Sequence, residues 1–168
     1  MNKIWFLAPV LTTIVACTPA MEITSAPVSS TTHKGFAKAA QVGTTTFTAR
    51  AFSKAGTETT ELGNVPCKLE GLGFSSKFTT PSDVVVPNMG PSSAPIRVIC
   101  THDGQTATSR QEPVNVTVRQ IHQSGANQNG GLLGALVATA ITSSRVRNRD
   151  ASQDVYGYDP VKMYFEVE

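Results

Sequence analysis

The side chains in this chain with the most evident chemistry are its thiols and imidazoles. They are Cys17, Cys67, Cys100, His33, His102 and His122. A zinc site needs about four such ligands at short, paired spacings, and here only His102 lies near a cysteine in sequence. The spacing therefore disfavours a bound metal and leaves the thiols two roles, a disulfide or a covalent modification.

Sequence signatures of the common enzyme classes are not found in the chain. Gly71-Leu72-Gly73 is not followed by the Gly-Lys-Ser/Thr of a phosphate loop. The nucleophile elbow Gly-x-Ser-x-Gly and the zinc-protease motif His-Glu-x-x-His do not occur either. We therefore expect no enzymatic activity and no cofactor. Trp5 is the only tryptophan, so we also expect no aromatic platform for nucleic acid.

The N-terminus has the layout of a secretory signal. Lys3 precedes an uncharged, mainly apolar run over residues 4–16, which is a short basic region followed by an apolar region of about a dozen residues. A permanent membrane helix needs about 20 apolar residues, so this run is too short to be one. We expect the chain to be exported.

The residues before the first cysteine, Ile14, Val15 and Ala16 followed by Cys17, closely resemble the lipobox of bacterial lipoproteins. The resemblance implies that residues 1–16 are removed, that the Cys17 thiol receives a diacylglycerol, and that the new amine is acylated. It also implies, because Thr18 stands where inner-membrane lipoproteins typically carry Asp, an address at the periplasmic face of the outer membrane.

Composition divides what remains into two parts. Residues 17–35 are rich in Thr, Ser and Pro and predict a flexible tether that cannot bury enough surface to fold. Residues 36–168 predict one β-rich periplasmic domain, because charged residues make up only 15% of the chain while Thr, Ser and Gly are abundant. The formal net charge of +2 points to no strongly charged partner.

With Cys17 assigned to lipid by that resemblance, Cys67 and Cys100 remain. Two thiols in an exported protein are expected to pair. Period-two alternation places Cys67 on one face with Val65 and Leu69, and Cys100 on one face with its apolar neighbours. Both sulfurs should therefore lie in the core, in a bridge between strands or between sheets.

Alternating apolar residues and turn residues predict about six short strands followed by a last one. The segments are 44–53, 65–69, 74–80, 84–86, a hairpin over 96–110 with its turn at Asp103-Gly104, 114–118 on the strength of Val114, Val116 and Val118, and 161–167. Strands of this length and spacing are typical of a small sandwich or barrel. The fold class we predict is mainly β, a disulfide-bridged sandwich-like domain.

One stretch of this β-rich region also resembles PEGA-type repeats of bacterial envelope proteins. The matching residues are Thr80, Pro81, Val84, Val86, Pro87, Ile96, Val98, Cys100 and Gly104. The match covers about forty residues. It implies a surface-exposed module without catalytic residues.

A Gly/Ala-rich segment over 130–144 breaks the β pattern and predicts a short inserted helix. Gly130, Gly134 and Ala138 recur at four-residue intervals, which lets the backbone approach another element closely. We favour a helix seated on the sheet; the alternatives are a self-associating or membrane-contacting helix, or a partly disordered flap. Three cations follow, Arg145, Arg147 and Arg149. They suit a helix C-terminus and are expected to be solvated, or else they contact an anionic surface.

These observations predict a membrane-anchored envelope lipoprotein that acts as a non-enzymatic structural or interaction module. Its expected partners are the membrane, through the lipid, and an envelope protein or a second copy, with no nucleic acid and no metal. The alternative is a ligand-binding or enzymatic lipoprotein with an unrecognised site. A deep pocket lined by His102 or His122 and a carboxylate would favour that alternative.

Overall fold

The structure is a computed structural model, and it describes residues 19–36, 40–126 and 143–167. Its strands are β1 (Val28–Ser29), β2 (Thr31–Thr32), β3 (Gly43–Ala55), β4 (Glu58–Leu62), β5 (Val65–Gly71), β6 (Phe74–Thr80), β7 (Ser82–Asn88), β8 (Ile96–His102), β9 (Gln105–Gln111), β10 (Val114–Asn115), β11 (Tyr156–Gly157) and β12 (Val161–Glu166). Helix α1 spans Val116–Ala126, residues 143–148 are also helical, and Gly90–Ser92 and Ala151–Gln153 are 3₁₀ turns.

Two five-stranded sheets form a sandwich. Sheet 1 has the order β1-β7-β3-β12, and β4 pairs with the second half of the long strand β3, beyond the part that pairs with β7. Sheet 2 has the order β2-β6-β5-β8-β9. The predicted sandwich-like, mainly β fold is confirmed. The long strand β3 organises sheet 1 because it pairs antiparallel with β7 and β4 and parallel with β12.

The core consists of the alternate residues that both sheets turn inward. From sheet 1 they include Phe47, Ala49, Ala51, Val84, Val86, Val161, Met163 and Phe165, and from sheet 2 Val65, Leu69, Phe74, Phe78, Ile96 and Val98. The hairpin of β8 and β9 turns where predicted, at Asp103-Gly104. Both residues have positive φ, 47° and 77°, which is the conformation that a tight type I′ turn requires.

The predicted tether over 17–35 needs correction in its second half. Val28 and Ser29 pair with β7 in sheet 1, while Thr31 and Thr32 pair with β6 in sheet 2. This segment therefore crosses from one sheet to the other along one side of the sandwich. Polar β-branched residues such as threonine suit an edge strand, so the composition that suggested disorder is compatible with pairing.

The strand predicted over 114–118 is also wrong beyond its first two residues, because α1 begins at Val116. Asn115 acts as the N-cap, and its Oδ1 accepts a hydrogen bond of 2.9 Å from the backbone N of Val118. The backbone N of Val116 donates to Val155 O at 2.8 Å. These bonds satisfy first-turn donors of the helix, and they outweigh the strand preference of alternating valines.

Candidate interaction surfaces

The two paired cysteines lie where the sequence predicted. Cys67 in β5 stands directly opposite Cys100 in β8, with 4.1 Å between their Cα atoms, and the two form a disulfide. Cys67 is 6% exposed and Cys100 is fully buried. The bridge joins neighbouring strands of sheet 2 rather than the two sheets. It therefore holds β5 and β8 together near the centre of that sheet.

A buried carboxylate ties together both ends of the chain segment 116–148, which we name the arm. Asp154 is 4% exposed. Its carboxylate accepts hydrogen bonds from Asn115 Nδ2 at 2.6 Å and from Arg149 Nε and Nη2 at 2.9 and 2.7 Å. Asn115 directly precedes α1, and Arg149 directly follows the helical residues 143–148. The two ends of the arm therefore meet at the side chain of Asp154, where the chain leaves the sandwich and returns to it.

The hydrogen bond from Arg149 is the main reason why the pKa of Asp154 is lowered, and the bond from Asn115 also lowers it, against the opposing effect of burial. Asp154 is therefore ionised near neutral pH, and the pKa of Arg149 is raised by the same contact. The charge-assisted fork between these two groups is stronger than a neutral hydrogen bond.

Helix α1 stands beside the sandwich rather than in its core. Its main contacts are with the small ribbon of β10 and β11, and none of the residues 116–124 is buried. At its base, a Cβ atom on Gly157 would come within 2.8 Å of Thr45 Oγ1 and 3.0 Å of Val116 Cγ2. Only glycine lets β11 lie this close to both β3 and the start of the helix. An ion pair between Arg119 and Asp159 adds a second tie.

The residues predicted for an interaction helix are divided between described and undescribed parts of the chain. Gly130, Gly134 and Ala138 lie outside the described residues. Arg145 and Arg147 are exposed on the helical residues 143–148. The expectation that all three arginines are solvated is wrong for Arg149, which is held by Asp154 and also donates from Nη1 to Val146 O in the last helical turn.

Four cations lie on the outer face of sheet 2, which we name the basic face. They are Lys68, Lys77, Arg97 and Arg110, all exposed. Lys68 stands directly opposite Lys77 on the neighbouring strand, and Arg97 stands directly opposite Arg110. Like charges in directly opposite positions destabilise a sheet.

Two carboxylates partly offset the charge of the basic face. Lys68 Nζ lies 2.5 Å from Glu70 Oε1, which lowers the pKa of Glu70, and Arg110 Nε lies 2.9 Å from Glu112 Oε1. An open cleft of about 710 Å³ reaches this face, and its only charged lining residues are Lys68 and Lys77. Its remaining walls include Val28, Pro66, Phe78 and Ile99. The face therefore offers cations beside apolar surface.

The histidines do not come together. His33 Nε2 lies 2.9 Å from Ser75 Oγ, and His122 is exposed on α1. His102 lines an open cleft of about 340 Å³ together with Asp103 and Glu166. The His102 Nε2 atom is 3.4 Å from Asp103 Oδ2, but the Asp103 side chain is 86% exposed. The lining of this cleft has no serine, threonine, cysteine or lysine that such a base could activate.

The Asp154 cluster was not predicted, because the residues around this aspartate show no pattern that indicates burial. Comparison of the chain with protein family models, with curated proteins and with solved structures finds no match. The helices in the described ranges fall short of the length and apolar character that a membrane span requires. Within the same ranges, no three metal-ligating side chains form a group.

Proposed function

We propose that this protein is a lipid-anchored lipoprotein of the bacterial envelope that acts as a non-enzymatic interaction module. In this proposal Cys17 carries the lipid, and the sandwich presents the arm to an envelope protein or to a second copy. The periplasmic face of the outer membrane is the proposed address. The proposal includes a resemblance of the segment from Thr80 to Gly104 to PEGA-type modules.

The observation that carries the proposal is the way in which the arm is joined to the sandwich. An insertion that only filled the core would bury its residues, whereas α1 has no buried side chain between 116 and 124. A buried charge is unfavourable unless it is fully paired, so the pairing of Asp154 with Asn115 and Arg149 keeps both ends of the arm at one point. Asp154 therefore fixes where the arm leaves the domain.

The ionisable groups of the described residues also favour binding over catalysis. Outside the Asp154 cluster, the carboxylates with resolved pKa shifts are Glu70 and Asp150, and both shifts are downward. A general acid near neutral pH needs a carboxylate whose pKa is raised. The His102 cleft supplies a base without a nucleophile, so the alternative of an enzyme has no specific support.

Photocrosslinking in intact cells tests the proposal. A photoreactive residue is introduced at Gln120 on α1 or at Arg145, both exposed, and as a matched control at Leu72, which is 74% exposed in the turn between β5 and β6. We expect a discrete protein adduct from the two arm positions and not from Leu72. The adduct should disappear when Cys17 is replaced by serine, because the unanchored domain loses its place beside the partner.

The same adducts identify the partner as a second copy or as another envelope protein by mass spectrometry. If the arm positions give no more adduct than Leu72 in cells where the protein is correctly anchored, the arm is not an interaction element. That result would contradict the proposed function while leaving the anchor in place.

A further inference from the structure

We propose that the outer face of sheet 1 around Phe52 and Tyr164 rests on the bilayer surface, which orients the domain on the membrane. This inference depends on the proposed lipid at Cys17. The surface that this face contacts is the boundary between lipid headgroups and acyl chains.

The first observation is that the N-terminal segment is fastened to this face. The backbone N of Met21 donates to Glu61 Oε2 at 2.8 Å, and Met21 O accepts from Arg50 Nη1 at 2.9 Å. Arg50 and Glu61 are themselves ion-paired at 2.5 Å. Arg50 alternates with the buried Ala49 and Ala51 along β3, so its side chain lies on the outer face.

The second observation is the short length of chain between this attachment and the lipid. Only three residues lie between Cys17 and Met21. The four steps of the chain that join them span at most about 3.6 Å each when fully extended, or about 14 Å in all. The proposed lipid is therefore attached at most about 14 Å from Met21, which Arg50 and Glu61 hold through its backbone. The headgroup region on each side of the hydrocarbon core is about 5–8 Å thick, so this face is held within reach of the bilayer.

The third observation is the kind of side chain exposed there. Tyr164 in β12 stands directly opposite Phe52 in β3, and their rings stack at 5.5 Å. Tyr164 is 49% exposed and Met21 is 43% exposed. A tyrosine with an apolar ring and a polar hydroxyl is a favoured residue at membrane interfaces.

The exposed lysines beside the aromatic pair also suit a membrane interface. Lys54 and Lys162 are exposed on either side of it, and Lys54 Nζ lies 3.6 Å from Glu166 Oε1. Long lysine side chains extend from an apolar surface toward phosphate groups. The basic face belongs to the other sheet and turns to the opposite side of the sandwich, so it remains free for a soluble partner.

Tryptophan fluorescence in vesicles tests this orientation. Trp5, the only tryptophan, lies in the predicted signal, so the cleaved chain reports only an introduced one. Tyr164→Trp places the probe on the proposed face, and Phe52→Trp is a second probe there. Thr108→Trp, exposed on the outer face of sheet 2, is the matched control. The acylated proteins, with the lipid on Cys17 verified by mass, are reconstituted in phosphatidylethanolamine–phosphatidylglycerol vesicles containing dibrominated lipid.

We expect the emission of Y164W to shift to shorter wavelength and to lose most of its intensity with brominated lipid, while T108W is unaffected. Equal quenching of Y164W and T108W, or no quenching of either probe on sheet 1, would overturn the orientation. Absence of the lipid from Cys17 would instead contradict the proposed function, so the two failures are distinguishable.

Discussion

Replacing Asp154 by asparagine removes the negative charge at the base of the arm with almost no change in volume. The wild-type carboxylate is bonded by Arg149 and Asn115, and the carboxamide can replace only part of these bonds. Breaking a fully buried ion pair costs about 3–5 kcal/mol. The side chain of Arg149 is 24% exposed and can regain water, so we expect a loss nearer the 1.5–3 kcal/mol typical of a hydrogen bond to a charged group.

Urea unfolding at neutral pH, followed by circular dichroism, measures this loss. Asp150→Asn is the matched control, because Asp150 is an exposed neighbour that caps the 3₁₀ turn through Ser152 and asparagine caps equally well. Amide hydrogen exchange should show faster exchange in α1 for D154N than for D150N. Equal stability of the two variants and the wild type would refute the reasoning that Asp154 holds the arm.

The pH dependence of the same comparison follows from the direction of the pKa shift. The pKa of Asp154 is lower in the folded protein than in the unfolded chain, chiefly because of Arg149. The contribution of the ionised Asp154 to the free energy of unfolding is therefore fully present above the unfolded pKa of about 3.9. It is lost as the pH falls from there through the lower folded pKa. The difference in stability between the wild type and D154N should shrink over that acidic range.

Three further predictions concern the sandwich. The Cys67–Cys100 bridge closes a sequence separation of 33 residues, so the double replacement by serine should lower the free energy of unfolding by about 3.7 kcal/mol in the chain-entropy model, measured by urea unfolding. Burial raises the pKa of Tyr158 to about 12. The stabilisation from its neutral form is therefore present below the unfolded pKa of about 10 and should be lost as the pH rises through 12. Tyr158→Phe should abolish this alkaline loss of stability. Lys77→Glu places a negative charge opposite Lys68 in place of a positive one. It should therefore raise the free energy of unfolding by about 0.2–1 kcal/mol, and a lower melting temperature would contradict the assigned register.

Much of sheet 2 was predictable because its signals are local. The apolar alternation of Val65, Cys67 and Leu69 identifies both a strand and its inner face, and the confirmed disulfide follows from the same register. Asp103-Gly104 identifies its turn, because few residue pairs adopt two successive positive φ angles. Such features depend only on residues that are close together in the sequence, so a single sequence is enough to predict them.

The parts that escaped prediction depend on distant residues. Val116 and Val118 fit a strand as well as a helix, and the choice was made by the cap from Asn115 and the carbonyl of Val155, forty residues along the chain. The strand β4 was missed because Glu58–Leu62 has little apolar character and is held by its pairing with β3. Burial of Asp154 likewise results from the three-dimensional meeting of both ends of the arm.

Metabolic labelling with an alkyne analogue of palmitate tests the central claim most directly, namely that the protein is anchored through Cys17. The wild type, Cys17→Ser, and the double variant lacking Cys67 and Cys100 are expressed in the same bacterial host and compared after cell fractionation. The anchored-module account predicts label in the membrane fraction for the wild type and for the double variant, and none for C17S. Undiminished label on C17S, or a wild type that is unlabelled and fully soluble after cell breakage, would contradict it.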